Sequence, residues 1–432
     1  MDGLARKASV IISILVFILL IAPLDLLADS LIWAPPELGD LIDEGLEQNK
    51  EIQDLENQVE SLKELIPFAG SLPDPRLGIG ALNVPTDTFS FNQEPMTQKQ
   101  IFIAQKVPWY EKLSLRSQRQ VTIADRQYWI LQAKRFELAR QIAVTYYEVG
   151  YVGRGLEING RMTELVEQLR KVAESRYATG KGLQQDVLEA HVELTKLLDE
   201  RVSLERESRN LEDRINGLLN RDRFSPVTPP GRLAYPALKL DVGALKDQSR
   251  KQNPQLAMRQ AEVDQAGVEI ELAHKDYYPD MDFMVAYGQR GEDQAGQNLP
   301  DLVSGSVVVN IPLWYKTRQD KQLAATLKGL AAAKDGYRNL FVALPHQVNA
   351  LATDIDKFQE NYRLYADALV PQAEQWAKSS LAAYQVRELE FDTMIKSQLQ
   401  LLRLELQSDR YLFNIYQKRA ELEELLGGRI QS

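Results

Sequence analysis

The sequence predicts a mainly α-helical chain, duplicated internally, with a small β part suited to a membrane. Three observations carry this. A strand–loop–strand segment, Pro73 to Lys112, returns as Pro279 to Lys316. Pro75 and Pro279, Pro108 and Pro312, Lys112 and Lys316, and upstream Asn49 and Asn253, all lie 204 positions apart. One register shared by several residue types marks an internal repeat, which decides the architecture before anything else. Each copy is flanked by long stretches of helix formers. The repeated plan is therefore helix, strand pair, long helical hairpin.

The strand runs are expected at about 76–84 and 98–107 in the first copy and about 281–289 and 303–311 in the second. They have period two. Met281, Phe283, Val285 and Tyr287 alternate with Asp282, Met284, Ala286 and Gly288, and Val303, Val307, Val309 and Ile311 with Ser304, Ser306 and Asn310. Runs of about nine to eleven residues match tilted membrane-spanning strands, whose apolar side faces lipid. Half-buried strands of a soluble sheet alternate in the same way. The membrane reading gains from the aromatic pairs Trp109/Tyr110 and Trp314/Tyr315 just past the strands, where a barrel carries its interfacial girdle. Four strands cannot close a barrel, and an open edge in lipid leaves backbone groups unpaired at several kcal/mol each. Several chains would have to share one barrel, two giving eight strands and three giving twelve.

Residues 1–28 read as a signal peptide. Arg6 and Lys7 precede an apolar stretch from Val10 to Ile21, then Pro23 and a small-residue exit near Ala28. A membrane anchor is the other reading of that stretch. No later segment approaches the roughly eighteen apolar residues of a spanning helix. The 432 residues include no cysteine, which excludes disulfides, thiolate metal sites, cysteine nucleophiles and an acylated N-terminal cysteine. A net charge of −10 argues against a nucleic-acid partner.

The first repeat is expected over 29–225. A helix covers Leu38–Pro67, and after the strands long helices cover about 110–177 and 183–219. Gly150, Gly153, Gly155 and Gly160 could bend or break the first of these. The second follows a 4–3 rhythm from Leu183 through Val187, Ala190, Leu194 and Leu197 to Leu218, the spacing of packed coiled-coil helices. Between the two hairpin helices, Tyr177, Thr179, Gly180, Lys181 and Gly182 make a turn. A proline-rich linker, 226–240, leads to the second repeat at 241–432. There, helical pattern covers Val242–Asp276, and after the strands long helices cover about 317–384 and 388–426. Pro345 and Pro371 are expected to kink the former. Pro75, Pro108, Pro279 and Pro312 mark the strand–helix turns.

Catalytic chemistry finds no support. His191, His274 and His346 are scattered through helices. Gly78-x-Gly80 lacks the third glycine of a dinucleotide fingerprint, and Gly180-Lys181 lacks the remainder of a P-loop. No metal site, cofactor or enzyme activity is expected.

Taken together, the chain resembles the TolC-like outer-membrane efflux family over essentially all of its mature length. The resemblance rests on the duplicated order of elements, on Asp74-Pro75 before a strand, on Gln105-Lys-Val-Pro-Trp-Tyr-Glu-Lys112 after one, and on Tyr177-Ala-Thr-Gly180 followed by Asp186-Val-Leu. It implies a homotrimer in the outer membrane of a Gram-negative bacterium. Its twelve-stranded β-barrel would continue into the periplasm as a twelve-helix α-barrel that docks on a periplasmic adaptor and an inner-membrane pump. Glu94-Pro-Met-Thr and the Pro-Trp close resemble the heavy-metal branch, many of whose members start with the lipidated cysteine absent here. The resemblance also implies a periplasmic gate. Asp186 matches the family's tip aspartate and Tyr384 its tip tyrosine. The family's partner arginine is Leu389 here, and Arg387 stands nearest to replace it. The turn around Tyr177–Gly182 and its second-repeat counterpart would dock the adaptor. The competing readings are a periplasmic coiled-coil adaptor or structural protein with small soluble sheets, and a secreted enzyme.

Overall fold

A computed structural model describes residues 31–293, 295–386 and 388–430. The expected signal peptide and Arg387 lie outside the described residues. Helices α1 (Pro36–Gln48) and α2 (Lys50–Gly70) precede strands β1 (Arg76–Leu82) and β2 (Gln98–Val107). Helices α3 (Lys112–Ala178) and α4 (Gln184–Leu218) complete the first repeat. The second consists of α5 (Val242–Gln252), α6 (Pro254–Lys275), β3 (Met281–Gln289), β4 (Leu302–Val309), α7 (Gln319–Arg363), a π-helical turn (Leu364–Leu369), α8 (Val370–Gln385) and α9 (Phe391–Leu426). Among the described residues no helix is long and apolar enough to cross a membrane.

Two compact units result. One comprises residues 55–130 and 255–340 and holds the sheet. Its strands run in the order β1-β2-β3-β4, every neighbour antiparallel. The two repeats therefore meet at β2 and β3, where Ile101 pairs with Tyr287 and Ile103 with Val285. Each hairpin closes alike: Leu82 pairs with Gln98 in one and Gly288 with Leu302 in the other.

The other unit comprises residues 31–54, 131–254 and 341–430. One core cluster joins Ile158, Met162, Val166 and Leu169 of α3, Ala190 and Leu197 of α4, and Met394, Ile395 and Leu399 of α9. The 4–3 stripe of α4 thus supplies core residues as its spacing requires. A second cluster gathers Leu245, Val348, Ile355, Ile415 and Leu422. Ion pairs Arg154–Asp409, Arg161–Glu405 and Arg410–Glu148 fix α3 against α9, at 2.9, 2.7 and 2.6 Å.

The structure corrects three expectations. The helix expected over Leu38–Pro67 is two helices, because Asn49 ends α1 in an extended conformation and caps α2 through its side chain. Asn49 Nδ2 also donates to Leu218 O at 2.9 Å, at the end of α4, and Asn253 Nδ2 donates to Leu425 O at 3.0 Å, at the end of α9. This gives the shared asparagine register a physical purpose: both close a helix end in their own repeat. Next, the glycines of α3 do not break it. Gly150 and Gly153 seat the linker: a Cβ on Gly150 would lie 2.3 Å from Pro230 Cγ, and one on Gly153 3.7 Å from Pro229. The linker is packed rather than free, with Val227 buried and Tyr416 donating to Ala234 O at 2.7 Å. Finally, α7 runs unbroken through Pro345, and the departure from α geometry comes at the π turn just before Pro371. A proline lacks the N–H and crowds the carbonyl four residues back. A wider turn at that place relieves the crowding.

Candidate functional site

One candidate is the sheet. Paired residues share a face, so the register places the odd-numbered residues of all four strands together. That face carries Leu77 and Ile79, Ile101 and Ile103, Phe283, Val285 and Tyr287, and Val303, Val307 and Val309, exposed between 43% and 84%. The opposite face is mostly small or polar, with Gly78, Gly80, Gln100, Ala286, Gly288, Ser304 and Ser306. So extended an apolar surface is not tolerated in water without a partner. In lipid it is what a barrel strand presents. Strands β1 and β4 each have one edge without a neighbour among the described residues.

The strand–helix corner in the same unit holds a polar lock. Lys112, nearly fully buried, places Nζ 2.9 Å from Asp280 Oδ1 and 3.4 Å from Asp276 Oδ1, and donates to Tyr278 O at 3.3 Å. Trp109 N–H donates to Asp280 Oδ1 at 3.1 Å, and Lys106 stands 3.8 Å from its other oxygen. Burial pushes the Asp280 carboxyl upward, but the Lys112 ammonium, the Trp109 N–H and Lys106 outweigh it and hold the acid below its usual range. Four aromatics were expected at this level. Trp109 stacks on Tyr278 with centroids 5.2 Å apart, whereas Tyr110, Trp314 and Tyr315 are exposed. Pro75 directly precedes β1 and Pro108 directly follows β2. Pro279 stands two residues before β3 and Pro312 three residues after β4.

The other candidate is the hairpin tips, in the helical unit. At the first tip Gly180 adopts φ +67°, Gly180 N–H donates to Tyr177 O and Lys181 N–H to Arg176 O. This is the Schellman closure, which needs a left-handed residue and so favours glycine. Thr179 Oγ1 donates back to Ser175 O at 3.0 Å. A Cβ on Gly182 would lie 2.9 Å from that of Arg176, so the chain doubles back tightly. At the second tip Glu388 N–H donates to Ala383 O, the same bond 207 positions on.

Tyr384 is buried and lies edge-on to Phe391, 5.8 Å between centroids. The Arg176 guanidinium sits 4.3 Å over its ring and reaches Tyr384 O at 3.4 Å. Arg176 was not singled out in the sequence, and no local pattern marks it, because its partner is a main-chain oxygen 208 residues away. Asp186, in the first turn of α4, lies near Glu189, which in turn hydrogen-bonds Asp392. Burial, then a hydrogen bond shared with Asp392, then the charges of Asp392 and Asp186 push the Glu189 carboxyl up to about 7. Asp186 and Tyr384 thus lie in one unit, Asp186 among carboxylates and Tyr384 under Arg176. Among the described residues, no group of three or more His, Asp or Glu is placed to hold a metal ion.

No protein-family model matches the chain, and no curated protein matches it in sequence. Solved structures do. A membrane protein from Pseudomonas aeruginosa superposes with a TM-score of 0.77 at 14% identity, over 91% of this chain and 94% of that one. The outer membrane protein VceC of Vibrio cholerae gives 0.71 at 16%, over 91% and 97%. The MtrE outer membrane channel of Neisseria gonorrhoeae, in its open state, gives 0.75 at 13%, over 93% and 91%. The chain has the fold of these membrane proteins, one of them an outer membrane channel, the TolC-like fold, along nearly its whole length.

Proposed function

We propose that this protein is the outer-membrane exit duct of a tripartite efflux or secretion system. Three copies each contribute four strands to one twelve-stranded barrel, and their long helices continue the conduit into the periplasm. The duct does no chemistry; it supplies a gated aqueous path. The observation that carries this reading is the four-stranded sheet with an exposed apolar face and two open edges, on a fold shared with outer-membrane channels. Lipid accepts such an apolar face once the open edges are paired, because every backbone group is then satisfied. Tyr110, Trp314 and Tyr315 stand at the lipid interface.

The tips around Tyr177, Thr179, Gly180, Lys181 and Gly182, with the second turn, dock a periplasmic adaptor that links the duct to an inner-membrane pump. Asp186, Tyr384 and Arg387 form the gate, and Arg176 holds Tyr384 in place. The test is fractionation of the expressed chain. An outer-membrane protein released only by detergent, and running as a trimer in SDS until heated, supports the reading. A water-soluble periplasmic monomer contradicts it.

A further inference from the structure

The repeat carries more information than the existence of a barrel. The two hairpins are congruent: β3 is β1 displaced by 206 positions and β4 is β2 displaced by 204, so that Leu82–Gln98 becomes Gly288–Leu302 and Arg76–Ala104 becomes Asp282–Val308. The seam between repeats is β2 against β3. The open edges are β4 and β1, which are the same two strand types in the same order. From this congruence we infer that β4 closes on β1 of a second copy in the register of the internal seam, with Lys316 taking Asp74 of that copy as Lys112 takes Asp280. This rests on the barrel reading and deepens it.

Displacing the observed pairs gives the register directly. Ile103–Val285 becomes Val307 opposite Ile79, Gln105–Phe283 becomes Val309 opposite Leu77, and Ile101–Tyr287 becomes Gly305 opposite Ala81. Every such pair joins odd to odd, so the apolar face continues across the junction. A slip of one residue would set Val307 against Gly78 or Gly80 and turn one strand inside out.

The corner residues agree. Asp74 stands where Asp280 does, and Lys316 where Lys112 does. Among the described residues the side chains of Asp74 and Lys316 make no hydrogen bond or ion pair, and both are exposed. Trp109 on Tyr278 becomes Leu313 on Leu72, and both leucines are exposed. A bare cation, a bare carboxylate and two bare apolar side chains thus occupy the places that are filled at the internal seam. The occupant that supplies all the complements in register is another copy of this chain.

The chain has no cysteine, so engineered pairs report without background. Val307→Cys with Ile79→Cys in one full-length chain, oxidised in outer membranes, should convert most of the protein into covalent dimer and trimer. Val307→Cys with Leu77→Cys should give little product. Lys316→Asp alone should lose the SDS-resistant oligomer, and adding Asp74→Lys should restore it. Linkage through the shifted pair instead, or no rescue by the swapped pair, would overturn this register while leaving the barrel standing. Absence of intermolecular product from every β4–β1 pair, in a chain that stays monomeric, would sink the barrel with it.

Discussion

Lys112 and Lys316 hold the same place in the two repeats, yet Lys112 is buried among Asp276, Asp280 and the Tyr278 carbonyl while Lys316 stands in solvent. The tips show a similar contrast. Tyr384 is buried under Arg176, and its counterpart Tyr177, 207 positions earlier, is half exposed. In each case the residue facing the seam between repeats is satisfied and its twin is bare. The difference teaches that the repeats meet along one seam inside the chain, and in the proposed barrel the second meeting is with another copy.

The sharpest way to break this comparison is to neutralise each lysine. Lys112→Met leaves the mostly buried Asp280 with only the Trp109 N–H at 3.1 Å and Lys106 at 3.8 Å, and should cost about 3–5 kcal/mol of folding stability. Lys316→Met should leave the unfolding of the monomer unchanged and weaken only the oligomer. Denaturant midpoints before and after dissociation separate the two.

Next in size is the contrast between the faces of the sheet. Arginine in place of Val285 or Val307, on the exposed apolar face, should cost about 2–4 kcal/mol near mid-bilayer, and Ser306→Arg little. Equal membrane assembly of the Val307 and Ser306 variants would contradict the assignment of faces.

At the tips, Arg176→Ala removes a cation–π contact and a carbonyl cap at once, and should cost about 1–2 kcal/mol. Tyr177→Ala, one residue on, should leave the unfolding free energy of the monomer within about 0.5 kcal/mol of the parent. Arg176→Ala should also raise single-channel conductance if Tyr384 belongs to the gate.

The smallest effect is one of pH. The Glu189 carboxyl is pushed up to about 7 from 4.5, so over that window the folded state keeps a proton that the unfolded state releases. Stability therefore falls as pH rises from about 4.5 to 7. Glu189→Gln should flatten this part of the melting profile, and an unchanged slope would remove Glu189 as its source.

Much of this architecture was legible in the sequence because it depends on period and register. The alternation of Phe283, Val285 and Tyr287 located β3, and the shared offset of prolines and lysines exposed the repeat. The strand ends fell within two residues of expectation. What could not be read were long-range partners. Gly150 looks like a helix breaker until Pro230 is seen against it. Arg176 is one basic residue among many until Tyr384 is seen beneath it. Asn49 lay in register with Asn253, but the meaning of that match needed the two helix ends on which they close.

The most direct test of the central claim is electrical. Detergent-extracted protein added to a planar lipid bilayer should insert as a trimer and give discrete conductance steps. A second sample dissociated to monomer by heating should give none. A preparation that remains a water-soluble monomer and adds no conductance at any protein concentration would contradict a role as an outer-membrane duct.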